Sequence, residues 1–306
     1  MVRKIQIKET GFTWVYINNP EEQSIEYLKK KYKFHHLDLE DCLSENQRPK
    51  IDDYENYLFI VLQVPVRTGR KKQINSSELN IFIGQNFVVT LHEENPILMR
   101  IFEECRKSKK TRDNYMGKGS GYFLYMITNE LFESCFPLLD DESRQVNEME
   151  KDVFDENYNK DRLKEILMVK KDIINFRRII MPERAIIAQL EHKNKKFLPE
   201  NLDVYFDDIV DKIEKMWNNL ENLQELVISL QETNESIISH NTNNVIKILT
   251  VLSVVILPLT FITGFYGMNV RNLPFAETPH ATLVVSVIIT AVAIAMIVYF
   301  KFKKWI

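Results

Sequence analysis

The chain has 306 residues, of which 45% are hydrophobic and 27% charged, and its formal net charge is −3. This length allows one large domain or two modest ones, and the composition excludes a low-complexity or disordered protein. The charge is unevenly placed, because the 246 residues before Lys247 hold 35 basic and 42 acidic side chains whereas two nearly uncharged apolar runs fill the last 60. A body with a charge of about −7 offers no overall basic surface to nucleic acid and favours cations.

The first 120 residues predict a cytoplasmic α/β domain. Short runs rich in β-branched and aromatic residues predict strands at 12–17, 57–66, 79–83 and 87–91. Gly84-Gln85-Asn86 separates the last two like a hairpin turn, and residues 25–32 show helical periodicity. His92-Glu93-Glu94 lacks the HExxH spacing of a catalytic zinc site, and no nucleophile is paired with a base, so we expect no catalytic residues and no enzyme.

Residues 121–200 predict a helical part of the same cytoplasmic body. Helical patterns run from 121 to Pro137, then over 138–157 and 160–192, and Pro182 predicts a kink or break in the last of these. Cys42, Cys105 and Cys135 are widely spaced and form no CxxC pair, which predicts neither disulfides nor structural zinc. The N-terminus has no continuous apolar core of a signal peptide, so we expect this body to stay in the cytosol.

A long stalk helix is predicted over 201–247. Its apolar positions follow the alternating three- and four-residue spacing of a coiled-coil seam, which needs a partner. That partner is either a helix of another subunit or the core of the same domain, and the spacing alone does not choose. The seam consists of Ile213, Met216, Leu220, Leu223, Val227 and Leu230.

Two apolar runs, 248–266 and 281–300, predict transmembrane helices. About 20 apolar residues form a helix of roughly 30 Å, which matches the hydrocarbon thickness of a bilayer. The 267–280 loop holds only Arg271 and Glu277 as formal charges, whereas Lys247 precedes the first run and the 301–306 tail is basic. By the positive-inside rule, both termini are cytoplasmic, and we expect a two-span protein of the inner (plasma) membrane.

Small and polar residues continue through the first span at helical spacing. They serve either helix packing or the lining of a water-filled path. Two spans cannot enclose such a path, so a pore would require several subunits around an axis. The stripe consists of Asn243, Ile246, Leu249, Ser253, Leu257, Thr260 and Gly264.

Gly267-Met268-Asn269 ends the first span and precedes a short loop, one further span and a basic tail. In this context the chain resembles the CorA family of divalent-cation channels. The resemblance implies a funnel-shaped homopentamer, in which an α+β domain with a mixed sheet precedes a long stalk helix and two transmembrane helices per subunit. Other matching segments are residues 39–43 (LEDCL), 47–50 (QRPK), 54–62 (YENYLFIVL), 241–243 (NTN) and 257–264 (LPLTFITG).

The resemblance implies that Gly267, Met268 and Asn269 form a selectivity filter and that the stripe lines the pore. A neutral amide oxygen such as that of Asn269 suits an ion that keeps its water, because Mg²⁺ dehydrates reluctantly. Gly267 would permit close backbone approach or a conformation that other residues resist. Ile246, Leu249 and Leu257 fall where the family narrows its pore.

Regulation by cytosolic Mg²⁺ is also implied, through carboxylates between neighbouring subunits. Asp208, Asp211 and Glu232 lie at matching stalk positions; the alternative is ordinary solvated charges. One departure is that the acid expected after the 57–66 strand is absent, since the chain there begins with Arg67. Another is Arg271, which stands where an acid is common.

The sequence therefore predicts a Mg²⁺ uptake channel whose substrate and regulatory ligand are the same ion, with Co²⁺ and Ni²⁺ as further substrates. An inside-negative potential of about 100 mV is worth roughly 4.6 kcal/mol to a divalent ion, so neither nucleotide nor organic cofactor is required. We expect lipid, divalent cations and identical subunits as partners, and no nucleic acid. Two alternatives remain, a Zn²⁺ transporter of the same family and a non-conducting, membrane-tethered cation sensor.

Overall fold

A computed structural model describes residues 2–7, 10–44, 47–68, 73–152, 160–192, 197–198, 202–270, 273–274, 280–303 and 305. The chain divides into two compact units, Met1–Gln231 and Glu232–Ile306. Each unit is described by itself below, and one helix, α8, contributes to both.

The first unit is built on a six-stranded mixed sheet. Its strands are β1 (Val2–Gln6), β2 (Thr13–Asn18), β3 (Lys50–Asp53), β4 (Leu58–Thr68), β5 (Gln73–Gly84) and β6 (Phe87–His92). The order across the sheet is β1-β2-β6-β5-β4-β3. Only β2 and β6 pair in parallel, and the remaining neighbours are antiparallel. The predicted mixed sheet is thus confirmed.

Helices cover both faces of this sheet. On one face, α1 (Glu22–Tyr32) and α2 (His36–Asp41) enclose a core that includes Phe34, Phe59 and Phe82. On the other face, the Trp14 ring lies 5.2 Å from that of Phe102 on α3 (Pro96–Lys107) and 4.8 Å from that of Phe123 on α5 (Ser120–Glu133). Because residues alternate between faces along a strand, both faces of the central strands are apolar.

The helical part of the first unit continues through α4 (Lys109–Met116), α6 (Phe136–Asp152) and α7 (Lys160–His192). Pro182 lies inside α7 and the helix continues past it, so of the predicted kink or break, the break does not occur. Side chains of α7 bond to backbone that the sheet leaves unpaired. The Gln63 amide donates to Glu183 Oε1 at 2.8 Å, and the Ile74 amide donates to Asp172 Oδ1 at 3.2 Å.

Helix α8 spans Asp203–Tyr266. The burial of its first half shows what the predicted seam of apolar residues packs against. All six seam residues are at most 8% exposed in the single chain, so the core of the same domain buries them rather than a coiled-coil partner. Polar contacts flank this packing. Arg177 of α7 lies over the Trp217 ring at 4.2 Å, and Lys212 Nζ bonds Asn129 Oδ1 on α5 at 2.7 Å.

The second unit contains the C-terminal part of α8 and α9 (Ala281–Phe302). Both helices are long and apolar enough to cross a membrane by length and composition, with peak mean hydropathies of 2.5 and 2.8. Val251 of α8 and Phe300 of α9 are 5% and 8% exposed, whereas most other side chains of the two spans are exposed. Residues of both helices also line a shallow apolar cleft of about 370 Å³.

Candidate ion pathway

The triplet Gly267-Met268-Asn269, for which a filter is predicted, begins where α8 ends. The Gly267 amide donates to the Thr263 carbonyl at 2.9 Å, and the Met268 amide donates to the Phe265 carbonyl at 3.3 Å, which completes the last helical turn. Asn269 follows at once and is exposed in the single chain. Its amide therefore extends beyond the end of the span, where it is accessible to an ion in solution.

Gly267 does not adopt the unusual conformation that the sequence allowed. Among the described glycines, positive φ occurs at Gly11 and Gly119, not at Gly267. A Cβ at Gly267 would instead lie 3.2 Å from the Thr263 carbonyl oxygen, which is tighter than ordinary van der Waals contact. A side chain at this position would therefore require a shift of a few tenths of an ångström in the last turn of α8. Met268 is 52% exposed in the single chain.

The proposed pore stripe and the buried face of α8 lie on different sides of the helix. Val251, Val255, Pro258 and Ile262 are buried or half-buried, and at 3.6 residues per turn they share one face. All seven stripe residues are exposed, and those from Ile246 to Gly264 fall on the opposite side, whereas Asn243 lies about a quarter turn from the buried face. The stripe is therefore not the surface on which α8 packs within its own chain, and it is available to other subunits, lipid or water.

The hydroxyl groups of the stripe act as hydrogen-bond donors to backbone carbonyls of their own helix. Ser253 Oγ donates to the Leu249 carbonyl at 2.9 Å, and Thr260 Oγ1 donates to the Ile256 carbonyl at 3.0 Å. Since these protons are used within the helix, the oxygen lone pairs remain as acceptors. Acceptors suit the water shell of a cation, whose hydrogens point outward. Leu257, which lies between these two groups, is 71% exposed, and Ile246 and Leu249, which precede Ser253, are 55% and 62% exposed.

The three stalk carboxylates are exposed and do not meet within one chain. Asp208 Oδ2 pairs with Lys212 Nζ at 2.8 Å, and Asp211 lies one turn further along α8. In the part of the chain that the structure describes, no three His, Cys, Asp or Glu residues are grouped to hold a metal. A regulatory ion at these residues would need ligands from a second subunit.

Arg67 is an ion-pair site that the sequence did not reveal. At the end of β4, its Nη2 donates to Glu142 Oε1 of α6 at 2.7 Å, and Nη1 lies 3.5 Å from Asp141. Glu142 is 1% exposed, and burial raises its pKa to about 7 in spite of Arg67. The position where the resemblance expects a metal-binding acid thus holds a basic residue already paired inside the subunit. An ion pair between residues far apart in sequence produces no periodic pattern, so the sequence could not predict the pairing of Arg67 with Glu142. The loop residues Arg271 and Glu277, and residues 69–72 after Arg67, lie outside the described residues.

The chain is similar to known proteins over nearly its whole length. The family of the CorA-like Mg²⁺ transporter protein matches residues 9–304. The putative metal ion transporter YfjQ of Bacillus subtilis is 29% identical, over 99% of this chain and 93% of its own. The cobalt/magnesium transport protein CorA of Thermotoga maritima is 28% identical, over 96% of this chain and 83% of its own.

Solved structures give the same answer for the fold. The complete structure of the CorA magnesium transporter from Methanocaldococcus jannaschii has a TM-score of 0.85 and 22% identity, covering 99% of this chain and 94% of that one. A more distant relative is the zinc transport protein ZntB of Pectobacterium carotovorum, 17% identical over 96% of this chain and 88% of its own. The chain belongs to the CorA-like family of divalent-cation transporters.

Proposed function

We propose that this protein is a homopentameric Mg²⁺ uptake channel of the inner (plasma) membrane, with both termini in the cytoplasm. One observation carries the proposal: the stripe of α8 is exposed in the single chain, away from the buried face around Val251, and it ends one turn before Gly267-Met268-Asn269. Five copies of that face around an axis would form a path lined with oxygen acceptors. The CorA relatives, whose names give cobalt and magnesium as substrates, support the same ions here.

Selection would act on the hydrated ion at the outer end of the pore. Mg²⁺ demands an octahedral shell and releases its waters reluctantly, so neutral oxygens that accept hydrogen bonds from those waters suit it better than a dry cage. A ring of Asn269 amides provides such oxygens. Further in, rings of Leu257, Leu249 and Ile246 would form apolar constrictions that lose water when they narrow, and this closes the path.

Control would come from cytosolic Mg²⁺ bound between subunits by Asp208, Asp211 and Glu232. Carboxylate rings bring like charges together, and a bound cation offsets their repulsion and stabilises the closed ring. Arg67 adds no ligand to this site. The sensor is therefore expected to rely on stalk carboxylates more than on the end of β4.

Flux into proteoliposomes tests the proposal. Purified protein is reconstituted with an internal Mg²⁺ dye, and uptake is driven by an inside-negative potential. Asn269→Ala is expected to reduce uptake by at least tenfold while the oligomer remains assembled in size-exclusion chromatography. Asn272→Ala is the matched control, because it removes an asparagine of the same loop outside the triplet.

Zn²⁺ flux separates the proposal from its main rival. The distant relative ZntB is named for zinc transport, and a zinc transporter would carry Zn²⁺ but little Mg²⁺ in the same vesicles, with or without a pH gradient. Absence of flux for Mg²⁺, Co²⁺, Ni²⁺ and Zn²⁺ alike would favour a non-conducting cation sensor. Full Mg²⁺ uptake by Asn269→Ala would refute the filter.

A further inference from the structure

The apolar cleft that α8 and α9 form lies near one end of the two spans. Its volume is about 370 Å³, and its lining includes Val254 of α8 with Tyr299 and Phe300 of α9. Val254 lies in the first half of the 248–266 run, and Tyr299 and Phe300 end the 281–300 run, so this is the end that carries the basic tail. The other lining residues are Val292, Ala295 and Met296, and none of the described lining residues carries a charge.

The lining of α9 forms one apolar strip along that helix. Val292, Met296 and Tyr299 follow each other at spacings of four and three residues, so they lie on one face. The strip extends over about 10 Å, because each residue adds roughly 1.5 Å along the axis. Ala295, whose side chain is small, lies beside the strip. A narrow apolar strip of this length fits part of a lipid acyl chain.

Lys303 continues the same face of α9 beyond the cleft. It follows Tyr299 by four residues, and its amide donates to the Tyr299 carbonyl at 3.1 Å, so the helical path extends to this lysine. Lys303 is exposed. Lys301 is exposed as well, but at about 100° per residue it lies on the opposite side of the helix from Val292. Of these two lysines, Lys303 is thus the one on the face of the cleft.

A further lysine lies beyond the same end of the cleft on α8. Lys247 precedes Val254 by seven residues, which is about two turns, so both residues share a face of that helix. Lys247 is half-exposed. Each of the two helices therefore places one lysine past the apolar lining, toward the basic tail. Basic pockets between transmembrane helices on the cytoplasmic side are typical sites for anionic lipid headgroups.

The tail marks the depth of this site in the bilayer. The Trp305 amide donates to the Phe300 carbonyl at 3.0 Å, and the centroids of the two rings are 5.8 Å apart. Trp305 is 41% exposed. Tryptophan is enriched at the membrane–water interface, where its amphipathic ring lies at the level of the headgroups. The cleft then lies in the hydrocarbon, and Lys303 lies at the headgroups.

The charges favour a lipid over the spans of a second copy as the occupant. Residues 236–306 contain one acid, Glu277, which belongs to the loop at the other end of the spans. The undescribed tail residues Lys304 and Ile306 add no negative charge. The spans of a second copy would thus bring no carboxylate to Lys247 and Lys303, and covering these lysines would remove their charge from water without compensation. A phospholipid brings both an apolar chain and a phosphate.

We propose that the cleft binds an acyl chain of an anionic phospholipid whose headgroup lies between Lys247 and Lys303. The proposal rests on the cytoplasmic orientation of the tail in the proposed channel, which places the lipid in the inner leaflet. A zwitterionic headgroup is disfavoured, because the two lysines repel its ammonium group. The bound lipid contacts both helices and stabilises their packing.

Native mass spectrometry of the delipidated full-length protein in detergent tests the site. The protein is titrated with palmitoyl-oleoyl phosphatidylglycerol, which is anionic, and with palmitoyl-oleoyl phosphatidylethanolamine, which has the same chains and no net charge. We expect saturable binding of phosphatidylglycerol, at one lipid per chain and several-fold tighter than phosphatidylethanolamine. The melting temperature should rise more with phosphatidylglycerol than with phosphatidylethanolamine.

Two single variants locate the headgroup, because each removes one positive charge from the same end of α9. Lys303→Gln is expected to weaken phosphatidylglycerol binding about fivefold, and Lys301→Gln is expected to leave it unchanged. On α8, Lys247→Gln should act as Lys303→Gln does. Ala295→Phe fills the cleft and is expected to abolish saturable binding, and the melting temperature without lipid shows whether this variant folds.

Several results would overturn the assignment. Absence of saturable phosphatidylglycerol binding would mean that protein covers the cleft. Equal affinity for the two lipids would remove the role of the lysines, and equal weakening by Lys301→Gln and Lys303→Gln would mean that the tail attracts lipid only as a diffuse charge. Asn269→Ala, the variant that tests the filter, should bind phosphatidylglycerol as wild type does, so this site and the proposed channel function are tested separately.

Discussion

Glu142 is a buried acid paired with the half-buried Arg67, and it releases its proton at an unusually high pH. Glu142 is almost completely buried, and the cost of desolvating its carboxylate exceeds the stabilisation from the guanidinium, so its pKa rises from 4.5 to about 7. The next carboxyls, Asp141 and Asp172, raise it further. In the unfolded chain the same group releases its proton near its ordinary value.

This difference predicts a pH dependence of stability. Between about pH 4.5 and 7 the folded state binds the Glu142 proton and the unfolded state does not, so stability falls as the pH rises through that window. Each unit of pKa difference corresponds to roughly 1.4 kcal/mol. We expect Glu142→Gln, which resembles the protonated acid, to flatten the decline of melting temperature over this range, measured by circular dichroism of the purified protein.

Glu148→Gln is the control for this measurement, because that glutamate is exposed on the same helix. Its melting temperature should follow the wild-type pH profile. If Glu142→Gln and wild type show parallel profiles, the proton is not held at Glu142.

Among elements, the sequence predicted best those whose side chains form periodic apolar patterns. The strands around Val15, Ile60 and Val89, and the two apolar helices, were predicted for this reason. The edge strands β1 and β3 were missed because they are rich in polar residues, such as Lys4 and Asp52, and show no alternating apolar pattern. Each is held to the sheet by backbone hydrogen bonds to its one neighbouring strand.

Helices α2, α3 and α4 were also missed, although α3 carries a readable start signal. The side chain of Asn95 accepts hydrogen bonds from two backbone amides, and Pro96 occupies the first turn. The candidate site divides in the same way. Helical spacing predicted the stripe of α8, whereas the ion pair of Arg67 with Glu142 depends on a contact between residues far apart in sequence.

The orientation of α8 predicts which introduced cysteines will react from water. Thr260 belongs to the exposed stripe, whereas Ile262 is half-buried on the opposite face, with Val251. In membranes, we expect Thr260→Cys to react with a charged, membrane-impermeant methanethiosulfonate reagent at least tenfold faster than Ile262→Cys. The background is low, because Cys42, Cys105 and Cys135 are all buried. Labelling is followed by mass shift, and faster reaction at Ile262→Cys would contradict a water-filled path along the stripe.

A single chain as a whole contains only part of the proposed pore and only part of the proposed regulatory site. Its stripe residues and Asn269 are exposed, and its stalk carboxylates do not form a metal site among the described residues. Each of these features gains a role when identical copies surround an axis, because one residue then becomes a ring. Conduction and its control are therefore expected to depend on the same assembly.

Removal of stalk carboxylates tests that dependence. If cytosolic Mg²⁺ closes the ring by binding Asp208 and Asp211, Asp208→Asn/Asp211→Asn should keep conducting when the vesicle lumen already contains Mg²⁺. We expect several-fold higher uptake than in wild type under that condition and equal uptake when the lumen starts free of Mg²⁺. Packing should survive the change, since Lys212 keeps Glu133 at 2.8 Å and Asn129 at 2.7 Å after losing Asp208.

The matched control removes two other exposed acids of α8, Glu225→Gln/Glu235→Gln, and should leave inhibition by luminal Mg²⁺ intact. Uptake is measured at the same membrane potential for every variant, so that differences in uptake between variants reflect gating and not driving force. Orientation in the vesicles is set by protease digestion of outward-facing cytoplasmic units. If luminal Mg²⁺ inhibits the Asp208/Asp211 variant as strongly as wild type, the control of this channel lies elsewhere than in its stalk, because the charge that the bound ion would offset is no longer there.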